Sequence, residues 1–298
     1  MPVVGPHSRQ DCVRRQRGGF DPGARRREIA RRATKEGLPE DPIVKVSILA
    51  SGSSGNCALI ATERTRLLVD AGLSCKQIRE RLAAEGEDAS RLDAIIISHE
   101  HSDHVAGLPV LAKRLNIPVY MTRIAAPGVC FNGYEPKLET FQAGTRLVIG
   151  DIEVDTFTIP HDAIDPVGFC FRAQGIKVGL VTDLGYMPEN VKQNLRGTHL
   201  LILESNHDLD MLKVGPYPWS VKQRVMGRKG HLSNEVASEF LRDDMDTSTE
   251  TVVLAHLSEN NNHPALAEIA ARQALDRRGL ATRIVVAAHG RPAGTFVY

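Results

Sequence analysis

The sequence predicts an α+β fold in which two β-sheets pack face to face and helices cover their outer sides. Strand-like and helical segments occur in both halves of the chain, and no linker divides it into separable domains. The 298 residues can bury one large core or two small ones. Hydrophobic residues make up 42% and charged residues 24% of the sequence, which is typical of a globular protein.

The first predicted elements are a hairpin, a strand and a helix. KVSILA, which starts at Lys45, is followed by the turn SGSSGN and by CALIATE, and RLLVD at residues 66–70 adds a third strand. Hydrophobic spacing predicts a helix over residues 75–85. DAIIIS at residues 93–98 predicts a short buried strand. The helix that follows is confined or kinked by Pro109.

Strands dominate the middle of the chain and alternate with helices in its second half. Residues 118–182 contain five strand-like segments: IPVYM, KLETFQ, DIEVDTFTI, GFCFRA and IKVGLVTD. Ser233 is a good N-cap for the second of three later helices. These predicted helices cover residues 187–195, 233–244 and 264–278, and the predicted strands between and after them cover residues 199–204, 251–256 and 283–288.

The first 42 residues differ in composition from the rest of the chain. They hold ten Arg or Lys against six Asp or Glu, a net charge of +4, whereas residues 43–298 hold 27 against 30, a net charge of −3. The segment has too few apolar residues to offset the entropy of ordering. We expect a basic, disordered extension before a folded domain over residues 43–298. It is either an arm that touches nucleic acid or, as we favour, an extension that merely precedes the domain.

Composition also bears on where the protein acts. No apolar run approaches the length of a membrane span, and the N-terminus lacks the apolar segment of a secretory signal. The five scattered cysteines include no CxxC pair, which favours reduced thiols over disulfides or a cysteine-bound metal. We therefore expect a soluble, cytoplasmic protein without a membrane partner.

The motif SHEHSDH at residues 98–104 is the strongest functional signal. It places His99, His101, Asp103 and His104 within six positions, directly after a predicted buried strand. Imidazole and carboxylate groups are the ligands that a zinc-like divalent ion accepts, and an ion with an open position can activate water. The motif therefore predicts a metal site on the loop that leaves this strand.

Four more polar residues follow strand-like segments elsewhere in the chain. Each of them alone is a weak signal, but strand ends from different segments can converge on one site. Together with the motif they supply enough ligands for two metal ions, including a bridging carboxylate. These residues are Asp70, His161, Asp183 and His256.

This order of residues resembles the metallo-β-lactamase-fold hydrolases over residues 43–298. The resemblance implies a four-layer αββα sandwich with two zinc ions at one edge of the sheets. It implies that Asp183 bridges the ions and that Asp70 orients a ligand histidine. It assigns His99, His101 and His161 to one ion and Asp103, His104 and His256 to the other.

Two further residues bear on the choice of reaction. Two zinc ions can supply a metal-bound hydroxide for attack on a carbonyl or a phosphoryl group, so the metals alone do not select the substrate. Expulsion of an alkoxide from a phosphodiester benefits from a proton donor. Glu204 in ILESNHD and His231 in KGHLSN could form such a donor pair, or they could be an ordinary strand end and helix start. With Asp103 and Asp183, these two are the candidate catalytic residues.

The same motifs resemble the phosphodiesterase branch of the family, including ribonuclease Z enzymes. SGSSGNC, SHEHSDH, ESNHD, the run from MLKVG to GHLSN, and LAHLSENNN are most similar to the YycJ/WalJ group of nucleases. That resemblance implies a 5′-to-3′ DNA exonuclease that uses two Zn²⁺, or Mn²⁺, with the Glu and His as proton donor. Thioester or lactone hydrolysis of the glyoxalase II kind and RNA processing remain the alternatives. The oligomeric state stays open.

Several smaller features have two interpretations each. The turn SGSSGN could bind a phosphate or could simply close a hairpin. The basic residues before His231 could grip a nucleic-acid backbone or lie on a solvated surface. We expect Trp219 and Tyr217 to pack at a corner rather than stack on a base, and we expect no catalytic role for His263 or His289. The basic residues are Lys222, Arg224, Arg228 and Lys229.

Overall fold

Two seven-stranded β-sheets face each other in the computed structural model, which describes residues 43–298. The predicted extension, residues 1–42, lies outside the described residues. In chain order the strands are β1 Lys45–Ala50, β2 Cys57–Ala61, β3 Arg66–Val69, β4 Ala94–Ile96, β5 Val119–Thr122, β6 Leu138–Phe141, β7 Arg146–Ile149, β8 Ile152–Thr158, β9 Val167–Ala173, β10 Ile176–Val181, β11 Leu200–Glu204, β12 Thr251–Ala255, β13 Arg283–Val286 and β14 Gly294–Val297.

Each sheet is built almost entirely from one half of the chain. The first has the order β14-β1-β2-β3-β4-β5-β6 and the second has the order β13-β12-β11-β10-β9-β8-β7. In both, one part is antiparallel and the other part, β3 to β6 or β10 to β13, is parallel. Parallel neighbours need long connections, and several of these connections contain the outer helices.

The helices lie along the outer sides of the sheets. Ser74 and Gln77 form a reciprocal capping box at the start of α1. Pro109 lies in the first turn of α3, so it starts a new helix rather than kinking one, and a separate short α2 precedes it. The helices are α1 Cys75–Ala84, α2 Ser102–Val105, α3 Leu108–Leu115, α4 Glu189–Leu195, α5 Leu209–Val214, α6 Trp219–Val225, α7 Asn234–Asp243 and α8 Pro264–Asp276, with 3₁₀ turns at Ala89–Arg91 and Ala126–Gly128.

Three apolar clusters separate four layers of secondary structure. The central cluster, which includes Ile60, Phe169 and Ile202, fills the space between the two sheets. A second cluster joins the first sheet to α1 and α3, and a third joins the second sheet to α4, α7 and α8. This arrangement confirms the predicted αββα sandwich, because each sheet buries one face against the other sheet and one against helices.

Several elements, besides α2 and the 3₁₀ turns, were not predicted from the sequence. Strand β7, RLVI, is a four-residue edge strand in which only Ile149 is buried, and its apolar run was not recognised as a strand. Strand β14, at the end of the sequence, pairs with β1, at the start of the described domain, so that Val46 lies opposite Phe296. Patterns over short stretches of sequence cannot indicate such a distant partner. Helices α5 and α6 occupy a segment rich in Gly and Pro. None of the helices that the structure describes is both long and apolar enough to cross a membrane.

Candidate active site

Three residues that follow strands have left-handed backbone conformations. Asp70 follows β3, Asp183 follows β10 and His256 follows β12, with φ values of 57°, 62° and 55°. Such values are uncommon outside glycine, although Asp and His adopt them more readily than most residues. The carboxyl ends of these strands lie at one edge of the sandwich, and all three side chains are buried there. The strained turns bring polar groups to this edge, as is common at functional sites.

Three histidines form a first cluster. Ligand atoms of His99, His101 and His161 lie within 4.8 Å of one another. Nε2 of His161 lies 3.2 Å from Nδ1 of His101. The other nitrogen of His161, Nδ1, donates to the carbonyl of Gly230 at 3.3 Å. Nε2 of His99 is buried and has no hydrogen-bond partner within residues 43–298.

Two carboxylates and two histidines form a second cluster. Ligand atoms of Asp103, His104, Asp183 and His256 also lie within 4.8 Å of one another. Nε2 of His104 lies 3.3 Å from Oδ2 of Asp183, and Nε2 of His256 lies 3.4 Å from Oδ1 of the same carboxylate. The seven predicted ligands therefore lie at one edge of the sandwich, in two adjacent clusters.

The donor set of both clusters suits a divalent, zinc-like ion. Imidazole nitrogens and carboxylate oxygens are its usual ligands. Nε2 of His99 is buried without a hydrogen-bond partner among the described residues. A buried polar atom without a partner is costly, and a bound cation would satisfy this nitrogen. The residues present thus fit the two ions that the resemblance implies.

Buried contacts to the Nδ1 atoms of His99 and His104 fix the orientation of these two rings. Nδ1 of His104 donates to Oδ2 of Asp70 at 2.8 Å. Ser98 donates its hydroxyl to Asp70 at 3.0 Å, and the same hydroxyl lies 3.0 Å from Nδ1 of His99. These contacts engage Nδ1 of both histidines, so Nε2 of His99 and of His104 is the nitrogen that would bind a metal.

Glu204 lies between the second cluster and His231. Its Oε1 accepts from Nδ1 of His231 at 2.8 Å and from Nδ1 of His256 at 2.9 Å. Its Oε2 accepts from the backbone N–H groups of Leu184 and Leu232, both at 3.0 Å. Four donors therefore converge on one fully buried carboxylate.

These contacts shift the protonation of Glu204 and His231 in opposite directions. Burial opposes the charged carboxylate, but the two histidines outweigh it and lower the pKa of Glu204 to about 2. Burial likewise opposes a charged imidazole, yet Glu204 raises the pKa of His231 above its ordinary value. The pair is therefore a carboxylate and an imidazole that holds its proton to higher pH than usual.

The backbone of the SGSSGN turn packs directly against the histidine motif. Asn56 donates its backbone N–H to the carbonyl of Asp103 at 2.7 Å, and its side-chain amide lies 3.2 Å from Oδ2 of Asp103. A Cβ on Gly72 would lie 1.7 Å from the Asp103 carbonyl, so only glycine fits there. The hydroxyl of Ser51 accepts from the N–H of His256 at 2.7 Å. The turn thus holds two site residues in place.

Sequence reasoning missed several residues around the clusters. The roles of Ser98 and of Asn56 depend on contacts between distant segments. Asp162 lies directly after His161, with Oδ1 3.5 Å from Nε2 of that histidine, and could have been noticed from this adjacency. The packing expected for Trp219 is wrong, because 61% of its surface is exposed.

Comparisons with known proteins show the family of this chain. The sequence matches the beta-lactamase superfamily domain over residues 65–257. It is 38% identical over 236 residues to exodeoxyribonuclease YycJ of Bacillus anthracis, covering 78% of this chain and 89% of that protein. It is 37% identical over 230 residues to exodeoxyribonuclease WalJ of Streptococcus pneumoniae, covering 76% of this chain and 86% of the relative.

A solved structure shares the fold at low sequence identity. The metallo-beta-lactamase fold protein YhfI from Bacillus subtilis superposes with a TM-score of 0.66 and 18% identity, over 87% of this chain and 99% of that chain. The predicted resemblance to the metallo-β-lactamase fold and to the YycJ/WalJ group is confirmed. The chain therefore belongs to the beta-lactamase superfamily and is a metal-dependent hydrolase with the metallo-β-lactamase fold.

Proposed function

We propose that this hydrolase is a two-zinc phosphodiesterase that degrades DNA from an end, in the 5′-to-3′ direction. The observation that carries the proposal is the single Glu204 oxygen shared by His231 and His256, because it sets a proton donor beside the ligand clusters. The relatives named exodeoxyribonuclease, similar over three quarters of this chain, support the same reaction and substrate.

The seven clustered residues are the proposed zinc ligands. His99, His101 and His161 would hold one ion, and Asp103, His104 and His256 would hold the other, with Asp183 between them. Bound there, zinc or manganese would lower the pKa of water and polarise a phosphoryl oxygen. Either chemistry also serves an ester or thioester, so the substrate class has to follow from other residues.

His231 is the proposed proton donor to the leaving oxygen of the DNA strand. Its Nδ1 is engaged by Glu204, so the proton on Nε2 is the one that can transfer. Because Glu204 raises the pKa of His231, the protonated form persists toward neutral pH. After the transfer, the neutral imidazole keeps its Nδ1 proton and its bond to Glu204. We expect activity to decline as pH rises through the pKa of His231.

A thioester or lactone hydrolase would have less use for this donor. A thiolate leaves readily without a proton, whereas the alkoxide that leaves a phosphodiester does not. An RNA-processing nuclease would need the same donor as a DNA exonuclease, so the Glu204 and His231 pair does not separate DNA from RNA. Substrate comparison has to make that distinction.

The test is an assay of full-length protein, supplemented with zinc or manganese, on DNA and RNA oligonucleotides labelled at the 5′ or the 3′ end. A chelator and a panel of small thioesters and lactones serve as controls. We expect metal-dependent cleavage of DNA, with product lengths that show progress from the 5′ end. Preferential cleavage of RNA, or turnover only of the thioesters and lactones, would contradict the proposal.

A further inference from the structure

The four basic residues before His231 differ in how the structure holds them. Lys222 is buried and donates to the carbonyl of Lys213 at 2.6 Å, so its charge stabilises the end of a helix. Lys229 is exposed. Arg224 and Arg228 are exposed as well, but Arg224 is anchored to Asp162, beside the first cluster, and Arg228 is anchored to Tyr186, three residues after Asp183.

Arg224 is anchored by Asp162. Nε of Arg224 donates to Oδ2 of Asp162 at 2.7 Å. The other oxygen, Oδ1, lies 3.5 Å from Nε2 of His161 and 3.9 Å from Nε2 of His101. No acceptor within residues 43–298 lies in hydrogen-bond range of the terminal Nη groups of Arg224. The pair therefore holds an arginine beside the first cluster with its terminal N–H groups free to bind a ligand.

Arg228 is anchored by an aromatic ring. Its guanidinium lies 4.3 Å from the ring centroid of Tyr186, which is three residues after Asp183. The backbone of Arg228 also packs against Gly185, where a Cβ would lie 2.4 Å from the Arg228 carbonyl carbon. The loop of Arg228 is thus fixed against the segment that carries the proposed bridging ligand.

The segment that carries both arginines contacts both sides of the site. His231 donates its backbone N–H to the carbonyl of Val225 at 2.9 Å, so the end of α6 is tied to the proposed proton donor. The carbonyl of Gly230 accepts from His161 in the first cluster. A Cβ on Gly230 would lie 2.2 Å from the Val225 carbonyl, so this turn requires glycine.

The stability of the fold does not account for the contacts of Arg224 with Asp162 and of Arg228 with Tyr186. The side chain of Arg224 is 63% exposed, and ion pairs of exposed side chains stabilise a fold by only about 0–1 kcal/mol. A guanidinium matches the geometry of a phosphate and forms paired hydrogen bonds with it. The described domain carries a net charge of −3, so a polyanion needs local positive groups at the site.

We propose that Arg224 and Arg228 form a two-arginine site that binds backbone phosphates of the nucleic-acid strand beside His231. Asp162 is the positioning residue that orients Arg224. This inference rests on the proposed nuclease function and adds to it the residues that hold the strand. The ligand class is a phosphodiester chain, since a small diester would reach the metals without the neighbouring phosphates that the arginines contact.

Kinetics of single variants test the site. Arg224→Ala and Arg228→Ala should each raise KM for a single-stranded DNA oligonucleotide about tenfold with a smaller change in kcat. The same two variants should lose several times less activity on bis(p-nitrophenyl) phosphate, because this substrate has no flanking phosphates. Asp162→Ala should reproduce part of the rise in KM that Arg224→Ala causes. The double variant Asp162→Ala/Arg224→Ala should show no larger rise in KM than Arg224→Ala alone. Arg242→Ala is the control for charge removal, since Arg242 is a partly exposed arginine paired with Asp243.

Binding provides a readout without turnover. Trp219 is the chain's single tryptophan and is exposed on α6, so its fluorescence should report oligonucleotide binding to zinc-loaded His231→Ala protein. Each arginine removed in that background should reduce the slope of log affinity against log salt by about 0.7, the value for one single-strand phosphate contact. A wild-type protein that neither cleaves nor binds DNA or RNA would overturn the proposed function. Wild-type cleavage with unchanged KM and salt slope in both arginine variants, or equal losses on both substrates, would overturn the arginine site alone.

Discussion

Glu204 and His256 are joined by a 2.9 Å hydrogen bond between Oε1 and Nδ1, and the same oxygen accepts from His231 at 2.8 Å. A proposed zinc ligand and the proposed proton donor therefore share one acceptor atom. The imidazole rings of the two histidines are stacked, with centroids 5.2 Å apart. This sharing links the chemistry of the leaving group to the metal site, so a change at Glu204 should affect both.

Glu204→Gln should reduce both activity and zinc content. The amide places an NH₂ group either against the N–H groups of Leu184 and Leu232 or against the two histidines, so donors face donors in either orientation. Breaking one partner of a buried charged network costs about 3 kcal/mol. We expect a lower free energy of unfolding, at least 100-fold slower DNA cleavage and reduced zinc in the purified protein. Denaturation, kinetics and metal analysis measure the three effects.

Glu189→Gln is the matched control for that variant, since Glu189 is an exposed residue in the first turn of α4. It should retain wild-type stability, zinc content and activity. If Glu204→Gln lost activity but kept its zinc and stability in full, the shared acceptor would not link the two sites.

Zinc binding should release protons from the metal-free protein. Burial opposes the charged imidazoles, but Asp183 and neighbouring carboxylates raise the pKa of His256 to about 10 and that of His104 well above its ordinary value. Both histidines are therefore protonated at pH 7 without metal, and a metal ligand must be neutral. Calorimetric titration in buffers of different ionisation enthalpy should detect about two protons released per protein. No dependence of the heat on the buffer would contradict this.

The raised pKa of His256 also determines how the stability of the metal-free protein depends on pH. A histidine whose pKa is raised on folding stabilises the folded state fully below its ordinary value of 6.5, and this contribution disappears as pH rises toward 10. Thermal unfolding of the zinc-free protein should show a Tm that falls across this range. Zinc-loaded protein, in which the ligands are already deprotonated, should show a smaller decline.

Ser98→Ala should weaken zinc binding without touching a ligand. The variant removes the hydroxyl that donates to Asp70 and contacts His99, which leaves a buried carboxylate with fewer donors. The loss should cost about 1–3 kcal/mol of stability and about 10- to 100-fold in zinc affinity. Competition with a zinc chelator measures the affinity. Ser102→Ala, an exposed serine four residues away, should match wild type, and equal affinities of the two variants would contradict the role of Ser98.

The sequence predicted the clustered residues because they follow strands. The carboxyl ends of parallel neighbours such as β3 and β4, or β10 to β12, lie at one edge of a sheet, so Asp70, His99, Asp183 and His256 converge there. A dense motif such as SHEHSDH, together with polar residues that follow several strands, predicts a metal site without knowledge of tertiary contacts. The same reasoning predicted two packed sheets from the order of strands and helices.

Contacts between distant segments could not be predicted in this way. The hydrogen bonds between Ser98 and Asp70 and between Glu204 and His256 depend on which side chains face each other after folding. The exposure of Trp219 depends on α6, a helix in a segment whose Gly and Pro content indicated a loop. The partner of strand β14 could not be predicted either, because β14 pairs with a strand almost 250 residues earlier.

The dependence of the His231→Ala effect on the leaving group tests the proposed chemistry most directly. DNA cleavage expels an alkoxide that needs a proton, whereas the p-nitrophenyl ester of thymidine 5′-phosphate expels a nitrophenolate that does not. With zinc content unchanged, His231→Ala should slow DNA cleavage about 100-fold or more, and should slow hydrolysis of the nitrophenyl ester far less. Equal losses on the two substrates, or full activity of the variant on DNA, would contradict the role of His231 as proton donor.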